Sequence, residues 1–243
     1  MRTGRQRPWP DLALETQLWE AGTCLVAGLD EAGRGAWAGP VVAAAVILPP
    51  RPSFVSPLIG QVDDSKRLSP EARERLAPAI RACALAVGVG SVPAIDIDHV
   101  GILPATRVAM IQALAGLAVW PGFVLLDYLT LPEVHLPQRG LPHGDAISLS
   151  IAAASVIAKI TRDHWMVGQE EVHRGYAFAR HKGYGTAEHR AALHRLGPCR
   201  LHRLSFHPLC EMLNDREDPE SGQHEGHDGL ICRDQAPQAG PGR

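Results

Sequence analysis

Four acids stand at positions from which a fold could gather them. Asp30 closes the short apolar run LVAGLD (25–30), and Glu31 follows it. Asp127 closes FVLLD (123–127), and Asp145 sits just ahead of a long apolar segment. Carboxylates held together without a cation repel one another and raise their own pKa values. A hard divalent cation removes that cost, and Mg²⁺ or Mn²⁺ prefers such oxygen ligands. Two such ions about 4 Å apart can activate water and stabilise the leaving oxygen of a phosphodiester. Successive side chains of a regular strand point to opposite faces, so Asp30 and Glu31 share a site only where the strand twists or ends. The glycines just after them permit that. Each acid also has a second reading: Asp145 as a helix cap, Asp127 as a strand-end turn residue, Asp30 and Glu31 as a solvated corner.

Directly after the first acid pair comes Gly33-Arg34-Gly35. Glycines let a backbone approach a ligand closely. Exposed N–H and C=O groups there could reach a sugar hydroxyl or a phosphate, and Arg34 adds charge-assisted bonding. A tight turn is the alternative. The overall charge of −2 argues against a nucleic-acid binder only as an average. Residues 214–243 carry seven Asp/Glu and three Lys/Arg, so residues 1–213 are net positive. Residues 159–207 hold nine Lys/Arg against four Asp/Glu, with seven of the twelve histidines. Such a segment suits phosphates or, equally, a solvated helical face.

The elements that must position these groups can be read from the pattern. LVAGLD and VVAAAVIL (41–48) read as buried strands, ALAVGVGSV (84–92) as a third whose glycines mark close backbone approach, and FVLLD as a fourth. Ser69 is a good N-cap, Pro70 suits the first helical position and Glu71 favours the dipole, which predicts a helix through LSPEARERLAPAIRA. Helices are also predicted for LPATRVAMIQALAGL (103–117), AISLSIAAASVIAKITRDHW (146–165, entered through a short strand) and EHRAALHRL (188–196). Strands alternating with helices give an α/β class, a sheet covered by helices.

At 243 residues and 45% hydrophobic, the chain suits one medium domain with extensions. The expected division is an N-terminal arm over 1–20 with one helical turn, a catalytic domain over 21–213, and an acidic, disordered tail over 214–243. No apolar run approaches the roughly 20 residues that span a bilayer. The basic N-terminus lacks an apolar signal core, so secretion is not expected. Five scattered cysteines without CxxC spacing predict neither a disulfide framework nor a structural zinc site, and a cytoplasmic setting. His224, His227 and Cys232 in the tail lack the spacing of a metal knuckle.

The segment AGLDEAGRGAWAGPVVAAAVIL (27–48) resembles the opening of bacterial ribonuclease HII. The similarity continues through DDSKRLSPEAR (63–73), LPATRVAMIQAL (103–114), GDAISLSIAAASVIAKITRD (144–163), HKGYGTAEH (181–189) and GPCRLHRLSF (197–206). These blocks keep the family order across residues 25–208. The resemblance implies a ribonuclease H-like fold, a central mixed sheet flanked by helices, with a helical C-terminal extension. It implies a metal-dependent endoribonuclease that hydrolyses the RNA strand of RNA–DNA hybrids and cuts 5′ of single ribonucleotides embedded in duplex DNA, leaving 3′-hydroxyl and 5′-phosphate ends. The family's catalytic and metal-binding carboxylates fall on Asp30, Glu31, Asp127 and Asp145. They imply Mn²⁺ or Mg²⁺ as cofactor, one ion without substrate and two with it: Asp30, Glu31 and Asp127 on the first, Asp145 joining at the second. Gly33, Arg34 and Gly35 would sense the 2′-hydroxyl, Tyr184 would stack on the next, deoxy sugar, and Lys66 would meet the substrate backbone. The partners implied are RNA–DNA hybrid and ribonucleotide-containing duplex DNA, with no membrane and a monomeric enzyme.

Two positions depart from the family pattern. Tyr128 replaces the usual glycine after the third acid, which could crowd the metal site or alter ligand approach. His143 replaces the usual lysine before the fourth, which makes one local charge depend on pH. Two other functions compete. One is a nuclease of the same fold that needs a run of ribonucleotides, against which Gly33–Gly35 and HKGYGT argue through the resemblance. The other is a non-catalytic hybrid-binding protein, against which the full set of four acids argues.

Overall fold

In the computed structural model, which describes residues 9–212, the first two apolar runs pair with each other. Val26–Ala32 (β1) lies antiparallel to Val41–Ile47 (β2), with Asp30 opposite Ala44 and Glu31 opposite Ala43. Phe123–Asp127 (β4) runs parallel to β1 on its other side. Ala86–Val92 (β3) borders β2, and Gln138–Leu141 (β5) pairs parallel with β4, giving the order β3-β2-β1-β4-β5. The sheet is mixed and helix-covered, as the sequence predicts. β5 is an addition to the sequence reading, as its four residues carry no alternating pattern.

Contacts divide the chain into two compact units. The first takes residues 9–32, 42–91 and 107–161; the second takes 33–41, 92–106 and 162–212. The expected tail over 214–243, with His224, His227 and Cys232, and the first eight residues of the expected arm lie outside the described residues.

In the first unit the core joins β2 to helices. Ala44, Val46 and Leu48 pack with Leu76 and Ile80 of Pro70–Cys83 (α3) and with Ala152–Ala154, Val156 and Ile157 of Leu149–Gly168 (α6). The short helix Pro52–Val55 (α2) adds Val55 to that core. Ser69 caps α3 as predicted, accepting from the Ala72 N–H at 3.1 Å. Gly28 is where α6 meets the sheet: a Cβ there would lie 2.2 Å from the Ser150 carbonyl carbon, so strand and helix backbones touch. Gly88 and Gly90 likewise leave room for Ala113 and Ala109 of Ile102–Ala115 (α5). Residues 13–20 exceed the single turn expected and form two turns of helix (α1). Their anchor is Glu15, fully buried, whose Oε1 accepts from the Ser148 hydroxyl at 2.5 Å, the Ser150 N–H at 3.0 Å and the Ser150 hydroxyl at 2.6 Å. The strand expected ahead of α6 reduces to a single bridge, Asp11 to Ser148, beside a 3₁₀ turn at Gly144–Ala146.

The second unit holds Ala94–Val100 (α4), Phe178–His181 (α7) and Ala187–Leu196 (α8). Trp37, Met166, Tyr176, Phe178, Leu193 and Leu209 form its core. Two arginines fasten it internally. Arg162, with no exposed surface, donates to the carbonyls of Pro40, Ala38 and Lys182 at 2.9 Å each. Arg203, equally buried, donates to Gly39 and Arg34 carbonyls at 2.8–3.0 Å. This corrects part of the sequence reading. Arg162, Arg203 and the buried His181, His189 and His202 of the basic segment are internal fasteners, not groups that meet phosphate. Among the described residues no helix is long and apolar enough to cross a membrane.

Candidate active site

β1 and β4 run side by side, so their C-terminal acids arrive at the same edge of the sheet. The 3₁₀ turn before α6 brings a third. Asp30, Asp127 and Asp145 each offer a carboxylate oxygen, and these oxygens all lie within 4.8 Å of one another. Asp30 and Asp145 are buried and Asp127 half-buried. The readings of Asp30 as a solvated corner and of Asp145 as a cap on the long helix therefore give way to a convergent set. Glu31 is not in the converging set; it adjoins through charge, since its carboxylate raises the pKa of Asp30.

The electrostatics are those of an acid cluster short of positive charge. Burial, then Glu31, Asp127 and Asp145, push the Asp30 pKa well above its ordinary value. Burial also raises Asp127, against the pull of a Gly144 N–H that donates to its Oδ1 at 2.7 Å and of the Lys66 and His143 charges. Asp145 is pushed up to about 7 by burial, then by Asp64 and Asp127.

Asp64 is the residue that sequence reasoning missed. It lies in the DDSK loop, shares a hydrogen bond with Asp145, and accepts from the Lys66 N–H at 2.9 Å. Its signal was the doubled acid before Ser65. Lys66 itself has an exposed side chain; desolvation opposes its charge, but Asp64, Asp30, Asp145 and Asp127 together hold its pKa above the ordinary lysine value.

Gly33–Gly35 and Tyr184 belong to the second unit. Gly33 has φ +92°, and a Cβ on it would lie 2.0 Å from Arg162 Nε. The same guanidinium lies 5.2 Å from the centroid of the half-buried Tyr184 ring, in cation–π contact. Arg34 is fixed through its carbonyl, which accepts from Arg203 at 2.8 Å. One buried arginine thus links the glycine turn to the tyrosine.

Both departures from the family pattern prove conformational. Tyr128 has φ +61° and His143 φ +56°, the left-handed region that favours glycine. Each costs about 1–2 kcal/mol by the usual steric penalty. The Tyr128 side chain is 70% exposed, so the ring stands open to solvent.

The oxygen-only donor set, its burial and its mutually raised pKa values fit a hard divalent cation. Known proteins resemble the chain in sequence and in fold. A family model described as Ribonuclease HII matches residues 27–209. A Ribonuclease HII from Chloroflexus aurantiacus is 53% identical over 204 residues, 84% of this chain and 96% of that protein. Among solved structures, the ribonuclease H2 from Pyrococcus horikoshii OT3 superposes with a TM-score of 0.66 at 22% identity, over 80% of this chain and 100% of that one. Bst-RNase HIII in complex with Mn²⁺ superposes with a TM-score of 0.59 at 19% identity, over 81% of this chain and 71% of that one. The fold is that of the ribonuclease H-like proteins.

Proposed function

The chain belongs to the ribonuclease HII family, and we propose that it hydrolyses the RNA strand of RNA–DNA hybrids and cuts 5′ of single ribonucleotides in duplex DNA. The observation that carries this reading is the convergence of Asp30, Asp127 and Asp145 within 4.8 Å. Asp30, Glu31, Asp127 and Asp145 would hold Mg²⁺ or Mn²⁺, one ion without substrate and two with it. When bound, such ions supply an activated water and charge stabilisation at the scissile phosphate.

The chain's own residues do the rest. The Gly144 N–H, donating to Asp127 at 2.7 Å, fixes that carboxylate before any ligand arrives. Lys66 sits in the field of four acids and offsets part of their repulsion; its exposed ammonium can also meet a substrate phosphate. The main chain of Gly33–Gly35, with Arg34, hydrogen-bonds the 2′-hydroxyl, the group that separates RNA from DNA at one position. Tyr184 stacks on the following deoxy sugar, with its ring braced by Arg162. The products carry a 3′-hydroxyl and a 5′-phosphate. The enzyme acts as a monomer in the cytoplasm.

The test is a cleavage assay on a DNA duplex with one embedded ribonucleotide, in Mg²⁺, in Mn²⁺ and in chelator. A metal-dependent cut on the 5′ side of the ribonucleotide is expected. A folded protein that binds this duplex and leaves it intact in both metals would overturn the reading.

A further inference from the structure

Tyr128 follows Asp127 directly and is the centre of a three-residue turn. The Leu129 N–H donates back to the Asp127 carbonyl at 2.6 Å, across a tyrosine at φ +61°. The γ-turn of this sense is rare and strained. The position is also pinned from β5, since the Tyr128 N–H donates to the Leu141 carbonyl at 2.8 Å. Glycine would occupy such a turn at no steric cost. A bulky residue held there needs a return, and the core does not supply it, because the side chain is 70% exposed. Strain kept beside a reactive group, with no packing to offset it, points to a role in function.

We propose that the Tyr128 ring is a contact surface for the nucleic-acid substrate, next to Asp127, and a determinant of substrate affinity. The chemistry suits this ligand. A planar ring with one apolar face and a phenol edge takes the face of a base or a sugar, and such stacking tolerates any sequence. The choice of nucleic acid rests on the function proposed above. The exposed ring lies one residue past the strand end that carries Asp127, which makes the bound strand its contact.

The test uses the full chain and three variants: Tyr128→Gly, Tyr128→Ser and Tyr128→Phe. Steady-state cleavage of the single-ribonucleotide duplex gives KM and kcat; anisotropy of the same labelled duplex in Ca²⁺ gives Kd. Glycine fits the turn without strain, so Tyr128→Gly should melt no lower than the parent. Its KM and Kd should nonetheless rise about five- to thirtyfold, the loss of one stacking contact, while kcat changes by less than KM. Tyr128→Ser should match it, and Tyr128→Phe, which keeps the ring, should lie near the parent. An unchanged Kd and KM in Tyr128→Gly overturns the inference, as does a fall in kcat alone. A parent protein that binds but never cleaves overturns the earlier reading instead, and the anisotropy series still decides this one.

Discussion

The Nε2 atoms of His189 and His202 lie 3.0 Å apart in the interior of the second unit. Their neighbours fix which ring carries the shared proton. The Tyr184 carbonyl can only accept, so His189 Nδ1–H donates to it at 3.0 Å. Neutral His189 is then bare at Nε2 and accepts from His202 Nε2–H. That leaves His202 Nδ1 to accept from the Cys199 N–H at 2.9 Å. The carbonyl of the candidate stacking tyrosine therefore ends a chain of donors running one way through two neutral imidazoles.

Acid should break this chain. Burial holds His189 down to about 3 and His202 down to about 4, below the 6.5 of an unfolded histidine. A depressed pKa means stability that is complete above pH 6.5 and lost as pH falls through the folded values. Each group can remove up to about 1.4 kcal/mol per pH unit inside that window. The acids of the first unit, with raised values, work in the opposite sense. His202→Gln isolates the pair. It should be less stable than the parent at pH 7 and lose less on going to pH 5. Denaturant midpoints in chelator measure this; parallel pH slopes for the two proteins would refute it.

Asp30→Asn should lower kcat on the order of a thousandfold or more, about 4 kcal/mol of barrier. It should not lower the melting temperature in chelator, because it removes a buried charge whose neighbours repel it. In the parent, Mg²⁺ or Mn²⁺ should raise the melting temperature, and more at pH 8 than at pH 6, since Asp145, at about 7, must shed its proton to bind a cation. The variant should lose most of that rise. Thermal scans with and without metal decide it, and an undiminished rise in Asp30→Asn would remove Asp30 from the ligand set.

Gly33→Ala meets two obstacles at once: φ +92° and the Arg162 guanidinium where the methyl must go. A loss of about 2–4 kcal/mol is expected, combining the left-handed penalty with displacement of a buried, hydrogen-bonded charge. Urea unfolding would read it. A change under 1 kcal/mol would mean that Arg162 has room to move.

Tyr184→Ala should cost about 1 kcal/mol of stability, the scale of one partly desolvated cation–π contact. Its effect on function should be larger: at least a tenfold fall in cleavage of the single-ribonucleotide duplex. Comparing that fall with the drop in melting temperature separates stacking from packing. A large thermal loss with a proportionate loss of activity would assign the ring to the core.

Asp127 was legible because a strand's last residue is visible as the end of an apolar run, as in FVLLD; Asp30 closes the apolar run LVAGLD in the same way, although β1 itself continues to Ala32. Ser69 was legible because capping is local. β5 was not: Gln138 holds its place through its own side chain, which accepts from Leu131 N–H at 2.7 Å and donates to the Leu131 carbonyl at 2.9 Å, a relation no periodicity encodes. The helical anchoring of residues 13–20 was hidden for a similar reason, since Glu15 finds Ser148 and Ser150 only after folding. Charge misled at Arg162 and Arg203, where the sequence counts a cation and the fold supplies carbonyls to bury it. Asp64 stayed unseen because its importance comes from the approach of Asp145, far along the chain.

The contact at Gly28 sets a mechanical limit on the acid cluster. Asp30 rides on β1, and Asp145 on the turn that feeds α6. Where strand and helix touch, a Cβ would sit only 2.2 Å from the Ser150 main chain. With no side chain at that point to compress or rotate, the frame behaves as a hard stop. Strand and helix cannot be drawn closer there by repacking, as a leucine-lined seam could be. Adjustment of the two carboxylates to each other falls to the torsions of their short side chains, hinges on a rigid mount.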